Sequence, residues 1–140
     1  MKTMSATIQI DAPPAAVWAV LTDLGRYPEW NPLFPEASGE VAVGSRITLR
    51  TVHPVNGRTM TVKPRITVAD PGAELRWTSS LPGIISGDHS FVLAPADGGT
   101  RLVQSETVGG LLAATVAAAR TETSFRALNQ ALKARVEEVS

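Results

Sequence analysis

The 140-residue sequence contains no cysteine, which excludes a disulfide framework, thiolate metal sites, iron–sulfur clusters and a cysteine nucleophile together. Neither charge is in excess: 13 Lys and Arg face 13 Asp and Glu, and the sequence pI is near 6.7. With no basic surplus to neutralise phosphates, nucleic acid is not an expected partner. Lysine is scarce, since only Lys2, Lys63 and Lys133 occur beside ten arginines. Lys2 lies at a terminus and Lys133 on an expected helix surface, so a Schiff-base mechanism is not expected. No stretch approaches about 18 consecutive apolar residues, and residues 1–10 lack the apolar region of a secretion signal. The expectation is a cytoplasmic chain with no membrane insertion. Aromatics are also few: three Phe, three Trp and one Tyr make 5% of a chain that is 44% hydrophobic. Alanine supplies much of that fraction, and small side chains bury little area each. A core built from them is thin unless something else fills it.

What is present fits one domain over residues 1–140, because no repeat, low-complexity tract or long Gly/Ser linker divides the chain. Ala6, Ile8 and Ile10 alternate with Ser5, Thr7 and Gln9, a period-two strand over 5–10. Asp11 and Pro13-Pro14 stop it and open a helix over 14–24, which carries Val17, Trp18, Val20, Leu21 and Leu24 at helical spacing. Residues 27–32 are too proline-rich for a regular helix, and one short turn fits there. From 36 to 107 every signal is strand, with candidates at 36–43, 46–53, 58–69, 74–79, 87–94 and 100–107. Asn56-Gly57, Pro71-Gly72, Pro82-Gly83 and Gly98-Gly99 are among the turns between them.

Residues 111–138 contain no Gly or Pro and place Phe125, Leu128, Leu132 and Val136 on one face of a helix. Such a helix would be about 40 Å long. A domain of this size has a radius of gyration of about 14 Å, so the helix must cross the whole body. The expected architecture is α+β: a curved antiparallel sheet of about six or seven strands gripping a long C-terminal helix. Two short helices sit between the first and second strands.

Followed backward from Phe125, the helix face reads Glu122 or Thr121, Ala118, Ala114 or Thr115, and Leu111. Its C-terminal half offers large side chains and its N-terminal half almost none. Either the alanines pack closely against the sheet, or a ligand-sized hollow remains. Strand parity names the lining: Leu75 with Trp77; Met60, Val62, Ile66 and Val68; Ile47, Leu49, Thr51 and His53. If Ala94 pairs with Arg101 across the Asp97-Gly98-Gly99 turn, Leu93 meets Leu102, Phe91 meets Gln104, and His89 meets Glu106. A slip of one residue destroys that match.

His89 beside Glu106 is the one His–carboxylate pair suggested by the sequence. It reads either as an acid–base pair or as a polar rim contact satisfying both partners. No spacing motif supports a metal site on His53, His89 and Glu106. Trp18 reads as core, Trp77 as core or pocket wall, and Trp30 as a plug at one end of the sheet or part of a pocket mouth. No Gly-rich phosphate loop or Gly-x-Ser-x-Gly elbow occurs. Arg120, Arg126, Lys133, Arg135, Glu137 and Glu138 read as a solvated helix face.

Residues 10–23, with Asp11, Pro13, Pro14, Val17, Trp18 and Leu21, are followed by Tyr27-Pro28-Glu29-Trp30-Asn31-Pro32. Together they resemble the SRPBCC superfamily, which covers START-related domains, the birch-pollen-allergen fold and polyketide cyclase/dehydrase-like proteins. Gly87-Asp88-His89-Ser90-Phe91, Gly98-Gly99-Thr100-Arg101, Ser105-Glu106 and Gly110-Leu111-Leu112 resemble a small bacterial branch of it. The resemblance implies a helix-grip fold with a hydrophobic pocket between sheet and long helix. It implies a hydrophobic small-molecule partner and no cofactor. The candidate wall is Trp30, Leu49, Thr51, His53, Val62, Trp77, Phe91, Gln104, Ala114, Ala118, Glu122 and Phe125. Three readings stand: a binding protein for a lipid, polyketide or aromatic metabolite; a cyclase or dehydratase with His89 as acid/base oriented by Glu106; and a chaperone-assisting interaction module with a filled interior. A monomer or weak homodimer is expected.

Overall fold

Alternating buried and exposed positions build the first strand, β1 (Lys2–Ile10), with Met4, Ala6 and Ile10 turned inward. A computed structural model describes residues 1–139. After β1 come α1 (Pro14–Leu21) and a 3-10 helix at Leu24–Glu29. Seven strands follow: β2 (Glu36–Ser38), β3 (Thr48–Val52), β4 (Thr59–Val62), β5 (Arg65–Asp70), β6 (Glu74–Leu81), β7 (Ile85–Ala96) and β8 (Gly99–Gly109). A 3-10 turn at Ala113–Thr115 leads into the terminal helix α2 (Ala118–Val139). This is the α+β helix-grip arrangement, with an early pair of short helices and a long C-terminal helix against antiparallel sheet.

The strands form a five-stranded sheet in the order β1-β8-β7-β6-β5 and a three-stranded sheet β2-β3-β4. The β7–β8 hairpin takes the predicted register, pairing His89 with Glu106, Phe91 with Gln104 and Leu93 with Leu102. Asp97 and Gly98 both have positive φ, the two-residue turn whose twist matches the strands it joins.

Four expectations are corrected. The strand expected over 58–69 divides at Lys63-Pro64 into β4, paired with β3, and β5, paired with β6. A bulge between Ile66 and Val68 then reverses parity, so Ala69, not Val68, shares the inner face with Leu75. The strand expected over 36–43 is only Glu36–Ser38. Near the N-terminus, the first helix ends at Leu21, where the Thr22 hydroxyl donates to the Trp18 carbonyl and the chain tightens into the 3-10 turn.

The largest correction concerns the terminal helix, which is 22 residues and about 33 Å long rather than 40. Residues 111–117 are not its first turns, although alanine favours helix. Tertiary bonds override that preference. Gly110 turns with φ +91 where a Cβ would meet the Ile84 carbonyl at 2.7 Å, and the Leu112 N–H donates to that carbonyl at 2.9 Å. Lys2 Nζ donates to the Val116 carbonyl at 2.8 Å, and Val116 is extended. The segment is therefore a strap laid from the β6–β7 hairpin to the start of α2.

Candidate functional site

His89 stands mid-strand on β7 and is 3% exposed. Its ring lies in an aromatic box: stacked on Trp77 at 5.3 Å between centroids, edge-on to Phe34 at 5.7 Å and to Phe125 at 5.1 Å, and tilted against Phe91 at 5.0 Å. Phe34 is set by Asn31, whose side-chain oxygen accepts from the Leu33 and Phe34 N–H groups. Both ring nitrogens are occupied: Nδ1 is 2.9 Å from Glu106 Oε2 and Nε2 is 2.9 Å from Gln104 Oε1.

Two backbone carbonyls fix the direction of this chain of bonds. Asn129 Nδ2 donates to the Ala6 carbonyl at 3.1 Å, so Asn129 Oδ1 faces Gln104. Gln104 Nε2 donates to that oxygen at 2.9 Å and to the Phe125 carbonyl at 3.2 Å. A carbonyl cannot donate, so neither amide can be turned over. Gln104 Oε1 then accepts from His89, and Nε2 carries a hydrogen. One further hydrogen must lie between Nδ1 and Glu106 Oε2. His89 has no nitrogen left for a ligand, whereas Glu106 Oε1 takes no protein donor among the described residues and its side chain is 29% exposed.

Glu106 and His89 reach two adjoining cavities of about 780 and 370 Å³. The larger is lined by Phe34, Leu49, Val62, Trp77, Ile85, Val108 and Val116, with Thr51 and Ser79 among its polar atoms. The smaller lies between His53, Leu33, the strap at Thr115–Ala117, and Thr121 and Phe125 of α2. Gly87 leaves room beside the acid: a Cβ there would stand 3.8 Å from the Glu106 carboxyl carbon, ordinary contact distance. Residues 60–65 on one side and 77–81 on the other line the larger cavity.

Of the residues expected on the wall, Leu49, Thr51, Val62, Trp77, His89 and Glu106 line the larger cavity, and Thr51, His53, Phe125, His89 and Glu106 the smaller. The others stand elsewhere. Phe91 and Gln104 are fully buried behind His89. Trp30 packs edge-on to Tyr27 at 5.2 Å, away from both cavities. Ala114 is exposed because its segment is the strap, and Ala118 only begins α2. Glu122 turns to the rim, accepting from the Ser5 N–H at 3.0 Å. The hollow therefore arises from the strap and the parted strands, not from an alanine helix face.

His53 is exposed, and its Nδ1 accepts from the Val55 and Asn56 N–H groups in the turn. Among the described residues no three His, Asp or Glu side chains gather to hold a metal, and no helix is long and apolar enough to cross a membrane. Tyr27 is fully buried, donates to the Leu21 carbonyl, and has its pKa pushed well above the ordinary value by that burial. It is not a cavity acid. Sequence reasoning missed Phe34, Ile85 and Val116 on the wall and Asn129 behind it. Asn129 left a legible signal, a polar residue on the face of Phe125 and Leu132.

Residues 1–137 match the family described as polyketide cyclase/dehydrase and lipid transport. Among solved structures, a Rhodobacter sphaeroides protein is similar at TM-score 0.80 and 22% identity, covering 99% of this chain and 93% of its own. A START superfamily protein from Mycobacterium smegmatis is similar at TM-score 0.76 and 16% identity, covering 99% of each chain. Ara h 8.0201 is similar at TM-score 0.72 and 20% identity, covering 98% of each. None of the curated proteins matches the sequence significantly. The chain belongs to the polyketide cyclase/dehydrase and lipid transport family, within the SRPBCC superfamily.

Proposed function

We propose that the protein binds a hydrophobic small molecule in the hollow between β3–β4, β6–β8 and the strap. The supporting observation is the cavity of about 780 Å³, within the range of small-molecule sites, walled by Phe34, Leu49, Val62, Trp77, Ile85 and Val116. An interaction module with a filled interior would not keep it. Native mass spectrometry of freshly purified protein tests the reading. A co-purifying lipid, polyketide or aromatic metabolite supports it; a ligand-free protein that takes up no hydrophobic compound on titration opposes it.

The free Glu106 oxygen favours a second reading, a cofactor-independent cyclase or dehydratase. The roles assigned to the pair then exchange. Glu106 is the acid/base that meets substrate, and His89, with both nitrogens engaged, is the residue that positions it. Glu106→Gln should abolish turnover while ligand binding persists. Loss of binding and folding together in that variant would make the pair structural.

A further inference from the structure

The break between β4 and β5 has a chemical character of its own. β5 and β6 pair from Arg65 with Thr78 onward. Continued toward β4, that register would place Pro64 opposite Ser79 and Lys63 opposite Ser80, but no pairing is formed there. Pro64 has no N–H to give. Its carbonyl accepts from Ile47 on the other side, and Ser79 and Ser80 keep an exposed edge. Residues on both sides of this split line the larger cavity.

Three cations stand on its lip. Arg46 is directly opposite Arg65 in an antiparallel bridge, and Lys63, two residues before Arg65, lines the same cavity. All three are exposed and line the larger cavity. Like charges opposed across strands are destabilising, and relief normally comes from a carboxylate. None comes here: among the described residues no ion pair includes Arg46, Lys63 or Arg65. Instead Arg46 Nη1 donates to the Lys63 carbonyl at 2.9 Å and Arg65 Nη1 to the Gly44 carbonyl at 3.0 Å. Those bonds hold both guanidinium groups at the lip with their remaining N–H donors unspent. Glu106, the only carboxylate on the cavity wall among the described residues, is three strands from β5, about 14 Å along the sheet at about 4.8 Å per strand.

We infer that the ligand is an amphiphile with an anionic head, a carboxylate or phosphate, held by Arg46, Lys63 and Arg65 while its apolar body enters through the split. The inference rests on the proposed binding function and adds a head-group class and an orientation. The anion stays at the lip because the inner wall already carries the Glu106 carboxyl. Apolar contacts with Val62, Trp77 and Ile85 hold the body.

The test compares dodecanoate, dodecyl phosphate and dodecan-1-ol, each below its aggregation limit, by Trp fluorescence at 20 and 300 mM salt. One or both anions should bind about tenfold tighter than the alcohol at low salt, with the preference shrinking at high salt. Whichever anion is preferred identifies the head. In the triple variant Arg46→Gln/Lys63→Gln/Arg65→Gln the preference for the anions over the alcohol should disappear. An alcohol that binds as well as both anions, or a preference untouched by the substitutions, overturns the anionic head and leaves hydrophobic binding standing. Failure of all three to bind overturns both.

Discussion

The two ends of α2 meet the same sheet and produce opposite results. Toward the C-terminus, Leu128, Leu132 and Val136 of α2, which packs on β1 and α1, are fully buried in one core with Ile10, Leu21 and Leu102. Polar bonds close the rim: Lys133 donates to the Gln9 carbonyl, Glu137 accepts from the Asp11 N–H, and Arg135 pairs with Glu29. Toward the N-terminus, a strap replaces the helix, β4 and β6 belong to separate sheets, and two cavities remain. The contrast is one of backbone as much as of side-chain size. Where strand edges are paired and the helix is regular, side chains close to native density. Where Pro64 and Gly110 interrupt them, they do not.

The closed end should be the costly one to damage. Leu132→Ala leaves a cavity in a well-packed region and should lower stability by about 2–5 kcal/mol. Met60→Ala, at the open end and 54% exposed, should stay within about 0.5 kcal/mol. Urea unfolding of both variants measures the difference, and equal losses would erase the distinction between the ends.

Between the two ends runs the bond chain from Ala6 to Glu106. Asn129→Leu removes a bond to the Ala6 carbonyl and strands a Gln104 donor, and should cost about 1–3 kcal/mol. The Phe125 carbonyl still holds Gln104 Nε2 in that variant, so the His89 ring signals in ¹⁵N NMR should stay unchanged. A changed His89 tautomer would mean that Asn129 alone sets the direction of the chain of bonds.

A smaller effect on stability, with a large one on binding, is expected at Gly87. The atoms nearest its Cβ position are those of the Glu106 carboxyl, at 3.8 Å or beyond, so Gly87→Leu fills the cavity without straining the strand. Ligand affinity should fall about tenfold or more, about 1.4 kcal/mol, with unfolding nearly unchanged. Undiminished binding would place the ligand elsewhere.

The smallest effect belongs to the rim. The Arg135 hydrogen bond holds the Glu29 carboxyl below its ordinary value, and the Lys133 hydrogen bond, then the Asp11 N–H, do the same for Glu137. A lowered folded-state pKa contributes stability above the ordinary carboxylate range and loses it as pH falls through the folded value. The gap in thermal midpoint between wild type and Glu29→Gln, small at pH 7, should therefore close on acidification toward pH 3. A gap that widens on acidification has the wrong sign.

The closed end and the hairpin were the legible parts of the sequence. Period-two alternation in 5–10, the Phe125–Val136 stripe and the Asp97-Gly98 turn are local signals, and together they set the His89–Glu106 register. The open end was not legible in the same way. An alanine-rich segment predicts helix, and only the long-range bonds from Lys2 and Ile84 make it a strap. Sequence reasoning missed the break at Pro64, which lies inside the strand expected over 58–69. The direction of the bonds to His89 depends on Asn129 and the Phe125 carbonyl, and through Asn129 on the Ala6 carbonyl, more than a hundred residues away in sequence. The expected charged face of α2 likewise proved partly a clasp, through Lys133, Arg135 and Glu137.

Methyl-labelled NMR during titration with dodecan-1-ol compares the two ends in one experiment. Shifts should concentrate at Leu49, Val62, Ile85, Val108 and Val116, and Leu128, Leu132 and Val136 should not move. Shifts spread over both ends, or confined to exposed methyls such as Val43 and Val139, would contradict a ligand held in the open half.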